Sequence, residues 1–187
     1  MNYVWNCLKR QRFEHGPYVI LPVQPDHIEL IRRWRNAQID ILRQSAPITR
    51  AQQETYYAHH IWPSMERATP SNILMALLHK GQLIGYGGLV HIAWEHQRAE
   101  VSCLVDDIRA KHHGLYAEDF SAFIALIRCM AFDDLGFHRL CTETYAIRAQ
   151  TIYLLELAGF RREGVLRDHV RIRGAFVDSI VHALLRP

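Results

Sequence analysis

The sequence predicts an α+β fold with about seven strands, and three changes in its hydrophobic pattern carry this prediction. Apolar residues recur at helical spacing over residues 26–61, which indicates amphipathic helices. Strand patterns then fill residues 73–105, where the connections are too short for helices, so an antiparallel meander is expected. Helix and strand patterns alternate over residues 114–185. A length of 187 residues with 49% hydrophobic content supports one core, and we assign residues 1–187 to a single domain.

The first half of the chain is predicted to contain one strand and mostly helices. Residues 1–16 show no clear period and form either a loose N-terminal arm or an extra strand. Residues 18–21 are predicted as a strand, and Asp26, with a glutamate three residues later, is predicted to cap the first helix. After a short helix over residues 39–43, Thr49 and the glutamine three residues later have the spacing of a second cap.

The second half is predicted to contain the meander and then two helices among further strands. The predicted strands cover residues 73–79, 83–93, 98–105, 140–145, 160–166 and 176–185. A polar loop over residues 106–114 leads into a long helix that ends near Gly136, and a shorter helix covers residues 149–158. A turn at Arg173 and Gly174 joins the last two strands.

Bulk composition bounds the class of protein. No run of 18 apolar residues is present, so no membrane partner is expected. Lys9, Arg10 and Arg12 lie where a signal peptide would need an apolar stretch, which predicts a cytoplasmic location. The net charge of +3 without a block of Lys or Arg suits a small phosphorylated ligand better than nucleic acid.

The cysteines and histidines do not form a pattern typical of disulfides or metal sites. The cysteines are scattered, and reduced thiols are expected at Cys7, Cys103, Cys129 and Cys141. The histidine pairs at residues 59–60 and 112–113 lack an HExxH spacing or a downstream carboxylate, so no metal is expected.

A basic loop precedes the long helix and is a candidate phosphate site. The residues concerned are Arg109, Lys111, His112, His113 and Gly114. Free N–H groups at a helix N-terminus, together with the positive end of the helix dipole, bind pyrophosphate well, and Arg and Lys add charge. From these residues alone, a solvated basic loop is an equally good interpretation.

Several motifs then occur in a familiar order. Residues 109–114 follow an Arg/Gln-x-x-Gly-x-Gly/Ala pattern in which His112 replaces the first glycine. Other motifs are Ala131-Phe132, Leu135-Gly136, Gly159-Phe160 followed by Glu163-Gly164 and Arg167, Gly174 followed by Asp178, and Trp34-Arg35-Asn36. In this combination the chain resembles the GNAT superfamily of N-acetyltransferases, nearest its ribosomal-protein-alanine and amino-sugar acetyltransferase branches. The resemblance spans roughly residues 18–185. It implies a mixed, mostly antiparallel twisted sheet flanked by helices, and acetyl-CoA as the co-substrate.

The resemblance also implies where the cofactor lies. Pantetheine in this family pairs with the strand before the phosphate loop like an added strand, which assigns the backbone of Leu104 and Val105 to that role. Residues 109–114 then hold the pyrophosphate. An asparagine usually meets the second arm of the cofactor, and its position here is Arg148, which departs from the pattern and is expected to contact a phosphate.

Candidate catalytic groups follow from the chemistry of amine acylation. The amine must lose a proton, and Glu100 on the strand before the loop is the predicted base, with His91 and Glu95 in reserve. The alternative for Glu100 is a surface glutamate paired with an arginine. The tyrosine that protonates the leaving thiolate in many relatives is replaced by Leu155, so Tyr153 is the substitute candidate.

Tyr145 and Tyr116 are further candidates for the acid. A thiolate of CoA can also leave without a dedicated acid, since thiol pKa values lie near roughly 8.5.

The predicted function is transfer of an acetyl group from acetyl-CoA to a primary amine. A small-molecule acceptor, such as a nucleotide-linked amino sugar, is favoured over a peptide or protein N-terminus. The alternative is a non-catalytic acyl-CoA-binding regulatory domain, and a nucleic-acid module is the least favoured reading of the mild basicity. A homodimer is the candidate assembly.

Overall fold

The computed structural model describes residues 3–187 and contains one sheet of eight strands. In spatial order the strands run β1-β2-β3-β4-β5-β6-β8-β7, and every neighbouring pair is antiparallel except β5 and β6. The strands are β1 (Phe13–His15), β2 (Tyr18–Pro22), β3 (Ile73–His79), β4 (Gln82–Ala93), β5 (Arg98–Val105), β6 (Arg139–Tyr145), β7 (Arg161–Ile172) and β8 (Ala175–Leu185). The predicted mixed sheet is confirmed, with one strand more than expected.

The eighth strand comes from the N-terminal segment. Phe13 is buried, and β1 pairs with β2 at the sheet edge. Upstream of it, Trp5 is fully buried and its Nε1 donates to Leu74 O at 3.0 Å. Residues 3–16 are therefore packed on the core rather than loose, because one tryptophan and one phenylalanine bury enough apolar surface to order a segment without periodicity.

The helices occupy both faces of the sheet. They are α1 (Ile28–Ala37), α2 (Arg50–Tyr56), α3 (Trp62–Met65), α4 (Asp107–Ala110), α5 (His113–Arg128) and α6 (Ala149–Leu157), and π turns extend α2 at Tyr57–Ile61 and α5 at Cys129–Asp134. On β4, Tyr86 contacts α1 through Arg35, whereas a side chain at Gly87 would meet Phe123 of α5. Successive strand residues point to opposite faces, so α1 and α5 lie on opposite sides of the sheet.

The structure confirms one prediction about where a helix begins and differs from the sequence prediction at two other positions. Thr49 and Gln52 form the predicted capping box on α2. The N-cap of α1 is His27, without a side-chain cap, so the prediction for Asp26 is wrong. The predicted loop over residues 106–114 contains α4, because the Asp106 carboxylate accepts from Ile108 N and Arg109 N.

Strands β5 and β6 pair over only three residues. The parallel register runs from Arg98–Arg139 to Glu100–Cys141, and no pairing between the two strands follows it in residues 3–187. Beyond that point β5 continues to Val105 and β6 to Tyr145, so the two strands diverge. The sheet therefore has an opening in its middle rather than only at its edges.

A buried ion pair fixes the segment after β5. Asp119 of α5 is fully buried and accepts from Arg109 Nε at 2.6 Å and Arg109 Nη2 at 2.7 Å. The hydroxyl of Tyr18 donates to the same carboxylate at 3.0 Å. Burial, and after it the hydrogen bond to Asp119, raise the pKa of Tyr18 to about 12. The three groups join α4, α5 and β2.

No helix in residues 3–187 is both long enough and apolar enough to cross a bilayer.

Replacing Asp119 by Asn should destabilise the fold by about 3 kcal/mol, because it leaves the Arg109 charge without its buried counter-charge. Urea unfolding followed by circular dichroism measures this loss. The control is Glu54→Gln, which removes an exposed pair with Arg50 one helical turn away and should change little. An equal loss in both variants would contradict a structural role for the buried pair.

Candidate active site

The opening between β5 and β6 leads into a cavity of about 730 Å³. Its walls come from the end of α1, the segment 41–48, α2, β4, β5, β6 and the start of α6. A cavity of this size is typical of sites for small ligands. The lining residues with charged or titratable side chains include Arg35, Arg43, His91, Glu100, Glu143, Tyr145 and Arg148.

The backbone of β5 faces this opening at alternate residues. Asp106 N donates to Ile84 O, and in an antiparallel ladder every second residue then bonds to the same neighbour. Leu104 therefore turns its peptide groups towards β4, whereas Cys103 and Val105 turn theirs towards the opening. Of the two predicted residues, Val105 faces the opening and Leu104 does not; its place is taken by Cys103.

One of these backbone groups already has a partner. The carbonyl oxygen of Val105 accepts from Gln38 Nε2 at 2.8 Å, and Gln38 lies just after α1. This contact closes the far end of the open edge. The peptide groups of Cys103 lie between it and the last β5–β6 pair, so the stretch available to an added extended ligand is short.

Two carboxylates on neighbouring strands share one guanidinium. Arg43 Nη1 lies 3.0 Å from Glu100 Oε1, and Arg43 Nη2 donates to Glu143 Oε2 at 2.6 Å. Burial lowers the pKa of Arg43, but the charges of Glu100 and Glu143 outweigh burial and raise it overall. His91 Nε2 lies 3.3 Å from Arg43 Nη1, and His169 Nε2 lies 3.5 Å from Glu143 Oε1. Together these side chains form the acidic pair site of the cavity.

The β7–β8 hairpin bends towards the same face. His169 reaches Glu143 from the irregular stretch of β7, where the register shifts between Leu166 and Val170. At the tip of the hairpin, Arg173 Nε donates to Asp40 at 2.9 Å, just after α1. The predicted turn at Arg173 is confirmed, and its side chain holds the hairpin against the helical layer.

The predicted phosphate residues all lie around the start of α5. His112 is the N-cap and uses no side-chain cap, and α5 begins with His113 and Gly114. Lys111 is exposed and pairs with Asp107 at 3.1 Å. The Arg109 side chain is held by Asp119, so the groups that remain for an anion are the amides of the first turn of α5 and the Lys111 ammonium.

Arg148 lies at the N-terminus of α6, next to this region. Its Nη2 donates to the Tyr116 hydroxyl at 3.0 Å, and that hydroxyl also contacts Thr151 Oγ1 at 2.8 Å. The start of α6 is tied to α5 by a second contact, in which Gln150 Nε2 donates to His113 O at 2.7 Å. Arg148 lines the cavity and contacts the first turn of α5 through Tyr116, while its role towards a phosphate stays a prediction.

Comparison with known proteins supplies the family. Residues 22–181 match the model of the acetyltransferase (GNAT) domain. The chain belongs to the GNAT acetyltransferase family. The prediction of an acetyltransferase is thereby confirmed, and the α+β GNAT fold with it.

Individual relatives agree with this assignment at different levels. The Bacillus subtilis (strain 168) protein named Probable N-acetyltransferase YjcK is 34% identical over 64 residues, a match that spans 34% of this chain and 35% of that protein. The fold is shared with spermidine N-acetyltransferase from Vibrio cholerae, solved in complex with CoA and spermine, at a TM-score of 0.77 and 17% identity over 91% of this chain and 96% of that chain. A GCN5-related N-acetyltransferase from Brucella melitensis gives a TM-score of 0.69 at 20% identity, covering 95% and 79% of the two chains.

For an acetyltransferase, the placement of the phenols matters. Leu155, which the sequence places at the position expected for the acid tyrosine, is buried and lines the cavity. Tyr153 is 59% exposed and is not among the cavity-lining residues, so the structure does not bring this predicted acid to the site. Of the three tyrosines considered for the acid, Tyr145 does line the cavity, and burial raises its pKa.

The thiols of this acetyltransferase are poor nucleophiles. All four cysteines are free, and burial raises the pKa of Cys103, the one on the open strand edge, to about 12. A thiol with so high a pKa stays protonated at neutral pH. Among residues 3–187 no group of three or more His, Cys, Asp or Glu side chains is arranged to hold a metal ion.

Sequence reasoning missed Arg43, Glu143, His169 and Gln38. Each lies far in sequence from Glu100 or Val105, and only the sheet order brings them together. A signal for Glu143 is the alternation of side chains along β6. Glu143 lies two residues after the pairing partner of Glu100, so its side chain faces the same side of the sheet as that of Glu100.

Arg148→Met should weaken CoA binding roughly tenfold, because a charge-assisted contact to a phosphate is worth about 1.5–3 kcal/mol. Isothermal calorimetry with CoA measures the affinity. Arg161→Met, which removes an exposed arginine on β7, is the control and should bind CoA like the parent protein. Equal affinity in all three proteins would limit Arg148 to its contact with Tyr116.

Proposed function

We propose that this protein transfers an acetyl group from acetyl-CoA to the primary amine of a small molecule, with a nucleotide-linked amino sugar as the candidate acceptor. The observation that carries the proposal is the position of Glu100 at the point where β5 and β6 part. There, a carboxylate lies beside a strand edge whose peptide groups face a cavity. A base and a thioester-binding edge are thus next to each other.

The cofactor is proposed to lie along the open edge of β5. Its pantetheine arm would pair with the peptide groups of Cys103, as an added strand does. The diphosphate would meet the first-turn amides of α5, with Lys111 and Arg148 adding charge. Arg109 contributes indirectly, because its pair with Asp119 fixes the segment between β5 and α5. Acetyl-CoA supplies the activated acyl group.

The acceptor amine is proposed to enter at the acidic pair site. An ammonium ion is attracted by the carboxylates of Glu100 and Glu143, which outnumber the single Arg43 charge between them. Glu100 then removes the proton, directly or through one water molecule. A β5 peptide N–H that faces the opening polarises the thioester carbonyl and stabilises the developing oxyanion.

The leaving thiolate needs little help. Leu155 cannot donate a proton, and Tyr145 is the candidate phenol that lines the cavity, with a pKa that burial raises. A thiol pKa of roughly 8.5 also allows departure as the thiolate. We therefore assign the essential proton transfer to the amine side of the reaction.

Two observations favour a small acceptor over a peptide. The cavity of about 730 Å³ would be shared by the proposed pantetheine arm and the acceptor, which leaves room for a compact molecule. The Vibrio cholerae structure that shares the fold holds spermine, itself a small-molecule amine. A peptide N-terminus stays the alternative acceptor, and a homodimer stays a prediction.

A non-catalytic CoA-binding domain is the second candidate function, since Leu155 and His112 both depart from the family pattern. Release of free thiol from acetyl-CoA with a panel of primary amines separates the two. CoA binding without amine-dependent thiol release from any member of the panel would favour the second candidate.

Glu100→Gln should lower the acetyl-transfer rate by a factor of roughly 100 at neutral pH, as expected for a lost general base. Steady-state thiol release measures this change. Glu66→Gln is the matched control, because Glu66 is an exposed glutamate just after α3 and does not line the cavity. Parent-like turnover of a folded Glu100→Gln variant would remove Glu100 from the mechanism.

A further inference from the structure

A second arginine in the cavity has no carboxylate partner. Arg35, in the last turn of α1, donates from Nη1 to the Tyr86 hydroxyl at 2.6 Å and from Nε to Gln44 Oε1 at 3.0 Å. Both partners are neutral, and no ion pair to Arg35 occurs within residues 3–187. A guanidinium has five N–H donors, so its fork keeps donors for a further acceptor.

The guanidinium is half-buried among phenols and lacks an anionic partner. Burial is the largest single influence on the pKa of Arg35 and lowers it, but the phenols of Tyr86, Tyr57 and Tyr56 together outweigh burial and raise it overall. All three tyrosines line the cavity together with Arg35. Buried charges are normally paired, because removing an ion from water costs several kcal/mol. An unpaired arginine that lines a ligand cavity is therefore expected to receive its partner from the ligand.

The remaining charges of the cavity are already assigned. Arg43 is compensated by Glu100 and Glu143, and that group of three has a net negative charge. Arg148 lies at the α6 side, next to the proposed phosphate site. The acceptor part of the cavity thus has a negative end at the acidic pair site and a positive end at Arg35.

The sheet register gives the spacing of the backbone positions on β4 that lie beneath the two ends. Tyr86 holds Arg35, and Val90 on the same strand is the pairing partner of Glu100. These two residues of β4 point to the same face, four positions apart, which corresponds to about 13 Å along the strand. Between these two positions little side-chain volume projects from the sheet into the cavity, because Ser102 is small and Gly88 has no side chain. A side chain at Gly88 is excluded, since its φ is +145° and a Cβ would lie 1.9 Å from Ile73 O.

We infer that the acceptor is a bifunctional molecule that carries an anionic group, carboxylate or phosphate, at the end opposite to its amine, and that Arg35 binds this group. This inference rests on the proposed acetyl transfer and narrows its acceptor class. The amine lies at Glu100, and the anionic group receives two hydrogen bonds from the guanidinium fork, which suits carboxylate and phosphate geometry. Tyr86 and Gln44 position the fork.

The test compares acceptors that differ only at the end remote from the amine. The set is 8-aminooctanoate, 8-aminooctyl phosphate, 8-amino-1-octanol and 1,8-diaminooctane, each measured for thermal stabilisation in saturating CoA and for thiol release from acetyl-CoA. We expect the two anionic amines to bind and react at least roughly tenfold better than the alcohol, and the diamine to be the poorest, since a hydrogen-bonded charge pair contributes about 1.5–3 kcal/mol. The better of the two anionic amines identifies the anionic group.

Two variants locate the effect. Arg35→Met should abolish the preference for the anionic amines, whereas Arg33→Met, on the same helix but 68% exposed and paired with Glu29, should retain it. Arg35→Lys keeps the charge without the fork and should retain part of the preference. Thermal unfolding confirms that each variant is folded before it is compared.

The outcomes separate this inference from the proposed function. A preference for the diamine, equal binding of all four amines, no binding of either anionic amine, or a preference that survives Arg35→Met would overturn the anion site. If no amine releases thiol although CoA binds, the proposed acetyl transfer fails. The stabilisation by the anionic amines still decides the role of Arg35 in that case, since it is measured without turnover.

Discussion

The short pairing between β5 and β6 is the constraint on which the rest of the site depends. Peptide groups require hydrogen-bond partners, so two strands that begin to pair in parallel normally continue. Here they part after Glu100 and Cys141. Glu100 and Glu143 face the same side, and Arg43 pairs with both carboxylates, so it bridges the two strands where their backbone pairing has ended.

A second, buried charge pair fixes the other boundary of the opening. Arg109 follows β5 directly, and its pair with Asp119 positions the first turn of α5 relative to β5 and, through Tyr18, relative to β2. Because Asp119 holds its side chain, Arg109 is not available to move towards a phosphate group, but the amides that it positions are rigid. Preorganised donors pay no ordering entropy when a diphosphate arrives, which makes them better suited to a fixed cofactor than a flexible side chain is.

The sequence predicted the fold well, because the fold is encoded in local patterns. The meander, the long helix and the Arg173 turn follow from periodicity and turn residues, and the capping box at Thr49 from two residues. Strand β1 was left open, since burial of Trp5 and Phe13 depends on distant partners and leaves no period. The site was predicted only in part for the same reason. Glu100 and Arg148 belong to elements with recognisable motifs, whereas Arg43 and Gln38 lie in an irregular segment whose position only the folded chain defines.

The same difference between regular elements and irregular segments explains why a shared fold does not identify the acceptor molecule. The fold is common to the structures compared here, while Arg35, Arg43 and Gln44 come from α1 and the segment after it. Those residues lie outside the strands, so they are free to differ between proteins that share the fold. A cavity that binds a molecule with a positive charge at each end would have carboxylates at both of its own ends. This chain places carboxylates at one end and a guanidinium with only neutral partners at the other, which fits the proposed acceptor with an anionic group opposite its amine.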